Sequence, residues 1–591
     1  MDRSYGIMLC DVRKSVNAEI DDIIDGFCSK SVYSKYENEI QHPDILAVMF
    51  LLQRMGVSLD KFELVITDEE YQFLEWKKHC LEEIAAGDWE KLSQERAYFK
   101  RLPAVNEKLQ RQFLLFVDYA LLRFRDRNPG EAFCAIDESL KCTLPYFERR
   151  LKERRRITAQ ESHILLNWLN LAAELEKVTK DQIQEYLFSL LEIAEDKLSD
   201  QTALCEIFAA AAIQALELLG ERLSGIQRES LEKKALKILV DNYSLRHMVK
   251  LLEHLAEDCA ERKDREQYHA VHQVLKGLYL QYGAVPAERV ECFSQTYAYC
   301  KLTLLSDAMR NARADLGISQ EEASGDICAL RTYVGAENGK HKPNHYNREM
   351  LAERLGLRWI YYSGKLVTNH YKLLLDVVEY KKTLYTDKES AKRILDGIVE
   401  KLDLSIPENR QQIEYLKIIA DYAPKTEGIY ERLDEILKYT CRGIFTKRYH
   451  SKAEKDIIYL MADSLLGKDD EKVREILEYL ERSEGEKKKE LLRDDLVLER
   501  QLLADLFLKS GEYDKCLEQV AIGIRGVFKC EEETCLRALL GKTEDIARKE
   551  RNLEEAKETC EKIMLIADLY HAPNRSAIRS WYERQYQDKK E

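Results

Sequence analysis

Apolar residues recur along most of this chain at spacings of three and four, the period of a helix with one face turned to a core. Over 69–85, Tyr71, Leu74, Lys78 and Leu81 share that spacing and Trp76 lies on a neighbouring face. Ala86-Gly87-Asp88 then interrupts the pattern before Trp89 starts the next helix. The same grammar predicts helices over 109–122, 161–175, 183–198, 203–219 and 231–240, and again from 247 to 282. No strand-like alternation of any length interrupts it. Helices of this length with short joints predict an all-α fold of antiparallel helical hairpins stacked as a solenoid.

One stretch, 307–357, has a tighter punctuation. Ser319 is a natural N-cap with Glu322 three residues on, a capping box that opens a short helix. Gly339 supplies the positive φ that stops the helix ending at Glu337-Asn338, and Pro343 prevents its resumption. With Ser319-Gln320-Glu321-Glu322 ahead of it and Glu337-Asn338-Gly339-Lys340 behind it, the stretch resembles the lambda-repressor/Cro-type (XRE) helix-turn-helix. Moving back 300 positions lands on matching residues without a gap: Arg313 on Arg13, Cys328 on Cys28, Tyr333 on Tyr33, Glu337-Asn338 on Glu37-Asn38, Pro343 on Pro43 and Arg354 on Arg54. Two such domains are therefore expected, at 1–63 and 305–363, each followed by a helical-repeat domain, at 64–304 and 364–591. The first departs from the motif where Ile20 replaces Gln and Glu39 replaces Gly.

In the first recognition helix Ser29 is the expected cap and Val32, Tyr33 and Tyr36 turn inward. Lys30, Ser31, Ser34 and Lys35 then share the outward side and are the residues expected against DNA. In the second, Ala329, Leu330, Arg331, Val334 and Gly335 are expected outward. Arg331 is the base-edge donor, with Thr332 beside it, and Gln320, Lys340 and Lys342 are expected on phosphates.

Charge sharpens this picture. The net charge is -14, so contact with a polyanion has to be local. Residues 5–63 carry six Lys/Arg against ten Asp/Glu, and 305–363 carry eight of each, so the second head is the better electrostatic match to phosphate. Nine Pro and 24 Gly in 591 residues fit long helices with short turns. Fifteen cysteines, an odd number without CxxC or Cys/His ligand spacing, point to reduced thiols in a cytoplasm and to no metal site. The apolar run at 7–10 is too short for a secretion signal, and the longest apolar stretch, 207–213, is too short to span a bilayer. No phosphate loop, HExxH or nucleophile elbow occurs, so neither an enzyme nor a cofactor is expected.

Leu503-Ala504, Phe507, Gly511, Tyr513 and Cys516 fit the tetratricopeptide pattern: Gly511 makes the turn and Cys516 takes the small position where two helices cross. A Cro-type helix-turn-helix followed by such repeats resembles the RRNPP family of Gram-positive bacteria, whose architecture here is doubled. The resemblance implies a cytoplasmic transcriptional regulator that binds duplex DNA and takes a short signalling peptide or a protein partner in its repeat groove. Asn167 and Asn170, on one helical face, are the candidates for holding a peptide backbone. Two heads in one chain imply a monomer acting as a pseudo-dimer, with a homodimer as the other arrangement. The competing expectation is a helical interaction protein or peptide receptor whose helix-turn-helix folds no longer touch DNA.

Overall fold

The computed structural model describes residues 5–286, 301–357 and 366–587, apart from short stretches at 58, 60–61, 199–200, 260, 369, 385, 423–426, 442, 447–449, 486–488 and 490–495. The expected boundary at 363/364 lies outside the described residues.

The fold is all-α, with thirty α-helices among the described residues. It opens with a block of four, α1 (Tyr5–Ser15), α2 (Ile20–Ile24), α3 (Lys30–Glu37) and α4 (Ile45–Arg54), then the strand β1 (Glu63–Ile66). An array follows: α5 (Asp68–Ala86), α6 (Trp89–Tyr98), α7 (Glu107–Ala120), α8 (Pro129–Thr143), α9 (Phe147–Lys152) and α10 (Ala159–Glu174). It continues as α11 (Lys180–Lys197), α12 (Gln201–Leu219), α13 (Gly225–Asp241), α14 (Met248–Asp258) and α15 (Arg262–Gln281).

The strand β2 (Lys301–Leu304) leads into a second block, α16 (Leu305–Leu316), α17 (Gln320–Ser324), α18 (Leu330–Glu337) and α19 (His345–Arg354). Helix lengths of 11, 5, 8 and 10 residues in the first block meet 12, 5, 8 and 10 in the second, so the blocks share one plan. The second array is α20 (Tyr371–Thr383), α21 (Lys388–Lys401), α22 (Pro407–Asp421), α23 (Ile429–Leu437), α24 (Lys452–Leu465) and α25 (Asp470–Gly485). It ends with α26 (Val497–Ser510), α27 (Tyr513–Cys530), α28 (Leu536–Lys549), α29 (Leu553–Leu569) and α30 (Arg575–Tyr582).

Local chemistry sets the helix boundaries. Thr67, Thr158, Ser224, Ser319 and Ser451 each cap a helix in a reciprocal capping box. Gly511 ends α26 at φ 77, and the Cys516 thiol on α27 donates to Ala504 O at 3.2 Å, so the two helices meet at close range there. Matching hydrogen bonds mark matching places in the arrays: Gln112 donates to Thr143 Oγ1 and Gln411 to Thr440 Oγ1, 2.7 and 2.8 Å.

Two strands were not foreseen. β1 and β2 pair in parallel, Glu63 opposite Lys301 through Ile66 opposite Leu304. Every residue of β1 is buried, Glu63 included, so it shows no alternation, and its partner lies more than 230 positions away. The helix around the apolar run at 207–213 is also longer than that run: α12 has 19 residues and is apolar enough to cross a membrane by length and composition. It packs instead on α10, α11, α13 and α14, with Ala209 to Ala212 buried among them.

The two series touch reciprocally. The Tyr371 N–H at the start of α20 donates to Asp11 Oδ2 on α1 at 2.5 Å, while Ser306 Oγ on α16 donates to Asp68 Oδ2 at the start of α5 at 2.7 Å. Each block thus rests on the first array helix of the other series. At the far end Leu245 N donates to Glu531 O and Glu533 N to Tyr243 O, both 2.8 Å, an exchange related by swapping positions 288 apart. Tyr243 stacks on Tyr570 there, and Tyr279 on Phe528 with ring centroids 4.0 Å apart.

Candidate nucleic-acid interface

In each block an ion pair ties the first helix to the third. Arg13 Nε donates to Glu37 Oε1 at 2.7 Å, and Arg313 Nε to Glu337 Oε1 at 2.6 Å. These hydrogen bonds hold both guanidinium groups above their ordinary pKa. Beneath them Tyr33 and Tyr333 are fully buried, and burial pushes both phenols up. The third helix is thereby pinned along its inner side and can present only its other side outward.

On α3 that outer side carries Lys30, Ser31, Ser34 and Lys35, all exposed. Ser29 caps the helix by accepting from Val32 N at 3.3 Å. Lys30 is 3.1 Å from Asp21 Oδ2, so part of the positive potential of this face is neutralised by α2. Ser34 is bonded locally: Asn38 Nδ2 donates to its carbonyl at 2.7 Å.

On α18 Ala329, Leu330 and Arg331 are exposed, and Thr332 and Val334 half-buried. Gly335 differs from the expectation of an outward position. It is buried, and a Cβ built on it would collide with the His341 imidazole. The missing side chain makes room for the His341 ring as the chain folds back, with Lys340 N and His341 N both donating to Gly335 O, 2.8 and 3.3 Å. In the first block Ile40 N and Gln41 N make the same pair of bonds to Lys35 O. The turn needs a positive φ in both, met by Gly339 at 68° and by Glu39 at 59°.

Two of the residues expected on phosphates stand near carboxylates of the chain itself. Gln320 is half-buried and its amide donates to Glu337 Oε2, drawn inward by the carboxylate that Arg313 also holds. Lys342 faces the first series: its Nζ is 4.0 Å from Glu70 Oε1, in a pocket that also includes Tyr5, Thr67 and Arg348. Lys340 is exposed at the end of the turn. A Cβ on Gly339 would strike the Asp68 carboxylate, so this turn is seated directly on α5.

The peptide-backbone expectation for Asn167 is corrected. Asn167 is wholly buried, accepts from Tyr119 OH at 3.3 Å and donates to His163 O at 2.8 Å, which makes it an interhelical hydrogen bonder inside the array. Asn170, one turn on, is half-buried.

The blocks differ in how they are held. Arg54 at the end of α4 is fully buried and donates to Glu161 on α10 at 2.6 and 2.5 Å, to Thr143 O at 3.2 Å and to Asp25 O at 3.1 Å. Burial alone would raise the Glu161 pKa; the charge and hydrogen bonds of Arg54 overcome this and hold it below the usual range. Arg156 adds bonds to Met55 O at 2.6 Å and Val16 O at 2.9 Å, and Lys108 caps Gly26 O and Phe27 O at 3.0 Å. In the second block Arg354, the counterpart of Arg54, reaches only across its own block to exposed Asp326 at 2.5 Å. The first block is welded to its array; among the described residues the second shows no such weld.

A further cluster escaped the reading of the sequence. Cys441, His450 and Glu454 are buried together, with one ligand-type atom from each lying within 4.8 Å of the others. The spacing Cys-x8-His-x3-Glu was the available signal, with Glu454 recognisable as the capping-box partner of Ser451. No family model, curated protein or solved structure matches this chain.

Proposed function

We propose that this chain is a DNA-binding transcriptional regulator carrying two helix-turn-helix heads in one polypeptide, a covalent pseudo-dimer controlled by a peptide or protein ligand on its helical arrays. The observation that carries the reading is the repeated pair, Arg13–Glu37 and Arg313–Glu337, which turns the same side of α3 and α18 outward in two blocks of one plan. The reciprocal seating of each block on the other series gives the two heads a fixed relation, which a two-fold operator requires. Lys30, Ser31, Ser34 and Lys35 on the first head and Arg331, Thr332 and Lys340 on the second are its contact residues. A ligand that shifts the first array moves the first head with it, because Arg54 joins them.

A second reading, a helical interaction protein whose blocks no longer touch DNA, draws on Lys30, Gln320 and Lys342 facing the chain's own carboxylates and on the net charge of -14. Sequencing the genomic fragments that the purified chain protects separates the two. The regulator reading expects enrichment of two-fold sites with half-sites about one DNA turn apart, roughly 34 Å, or a multiple of it. Absence of any enriched fragment at low and moderate salt favours the interaction protein.

A further inference from the structure

The Cys441–His450–Glu454 cluster lies where the segment after α23 meets the start of α24, away from both candidate DNA faces. His450 Nε2 is 2.9 Å from Ile444 O. A carbonyl oxygen only accepts, so the ring proton belongs on Nε2 and a neutral ring carries its lone pair on Nδ1. Nδ1 is buried and stands 3.5 Å from Glu454 Oε2, with the Cys441 thiol beside the pair. A ring nitrogen and a carboxylate oxygen facing each other hold a cation between them, either a second proton on the ring or a metal ion that displaces it.

The third side of the site is the Cys441 thiol, 2.9 Å from Gly443 O. Glu454 is held from behind, with Thr440 Oγ1 donating to Oε1 at 2.6 Å and Ser451 N to Oε2 at 2.9 Å. These are the supports expected around a metal: a histidine whose other nitrogen donates to a backbone carbonyl, and a carboxylate that is itself hydrogen-bonded. Zinc bonds of ~2.0–2.3 Å at the tetrahedral angle separate ligand atoms by roughly 3.3–3.6 Å. The Nδ1 to Oε2 distance of 3.5 Å already meets that spacing.

The first array fills the corresponding place differently. There Glu161, in the capping box that matches Glu454, receives the Arg54 guanidinium. In the second series Arg354 is engaged with Asp326, and the carboxylate faces an imidazole and a thiol instead.

We propose that Cys441 Sγ, His450 Nδ1 and a Glu454 carboxylate oxygen bind one zinc-class divalent cation, with a fourth position open to water. The mixed sulfur, nitrogen and oxygen donors select a borderline ion over magnesium or calcium. On binding, the thiol proton is released and the thiolate takes its place on the metal, so uptake is accompanied by loss of a proton. The ion fastens the segment after α23 to α24, the role a guanidinium plays in the first array.

The test uses the full chain, stripped with a chelator and titrated with Co²⁺ and then Zn²⁺. Expected are one ion per chain, an absorption band from thiolate-to-cobalt charge transfer, and its loss when Zn²⁺ displaces Co²⁺. Cys441→Ser and His450→Gln should each weaken binding by more than the roughly 10–100-fold that loss of an outer partner costs. Substitution of exposed Cys134 by Ser should leave it unchanged. The proposal is overturned if the wild-type chain takes up no stoichiometric metal, if the cobalt complex lacks the thiolate band, or if the folded variants bind as tightly as wild type. Should either variant fail to fold, the wild-type stoichiometry and spectrum decide.

Discussion

Arg54 and Glu161 form an ion pair in which neither side chain has any exposure, joining a four-helix block to an array helix 107 positions away. Removing one partner leaves a buried charge uncompensated. Arg54→Ala should therefore cost about 3–5 kcal/mol in urea unfolding, and the double change to Met at both positions should recover most of it. Arg354→Ala, at an exposed pair, should cost less than about 1 kcal/mol.

The turn after the third helix gives a second contrast. Gly339→Ala meets both a positive φ and the Asp68 carboxylate, and should destabilise the chain by about 1–2 kcal/mol or more while loosening the second block from α5. Glu39→Gly, at φ 59°, relieves the same strain and should be neutral or stabilising by up to about 1 kcal/mol. Thermal melts of the two variants, with hydrogen exchange over 301–357, check both statements.

Glu232 supplies a pH dependence. Burial, and then the neighbouring Asp258, push its carboxyl up to about 8. The folded pKa lies above the unfolded one, so its contribution is fully present below the unfolded value near 4.5 and is lost as pH rises through 8. Glu232→Gln should thus gain stability relative to wild type steadily between about pH 5 and 8. A Tm difference that stays flat across that range contradicts the assignment.

At the proposed DNA face, Arg331→Ala should cost about 1–3 kcal/mol at a cognate site and relax specificity at one base position. Lys340→Ala and Lys35→Ala should weaken all sequences alike and each reduce the salt slope by about one. Gln320→Ala should act on the stability of the second block rather than on phosphate contact, because its amide is spent on Glu337. Competition binding with specific and random duplexes at several salt concentrations distinguishes these effects.

What the sequence made legible was local or periodic. The Ser29 and Ser319 caps, the Gly511 turn and the inward set Val32, Tyr33 and Tyr36 follow from neighbours within a few residues, and the 300-position offset exposed the repeated block. What escaped it depends on distant partners. The β1–β2 pairing and the Arg54–Glu161 weld join segments that no local pattern connects. Gln320 and Arg331 both read as polar surface donors, yet only Gln320 has a carboxylate beneath it. Gly335 read as an outward position, and it is the space beside which the His341 ring packs.

In the proposed regulator one chain supplies both heads. The most direct measurement is sedimentation of the full chain with a duplex containing a protected two-fold site, at several salt concentrations. One chain per duplex, with log affinity falling linearly as log salt rises, is expected. Two chains per duplex, or no salt-dependent binding at all, would contradict it.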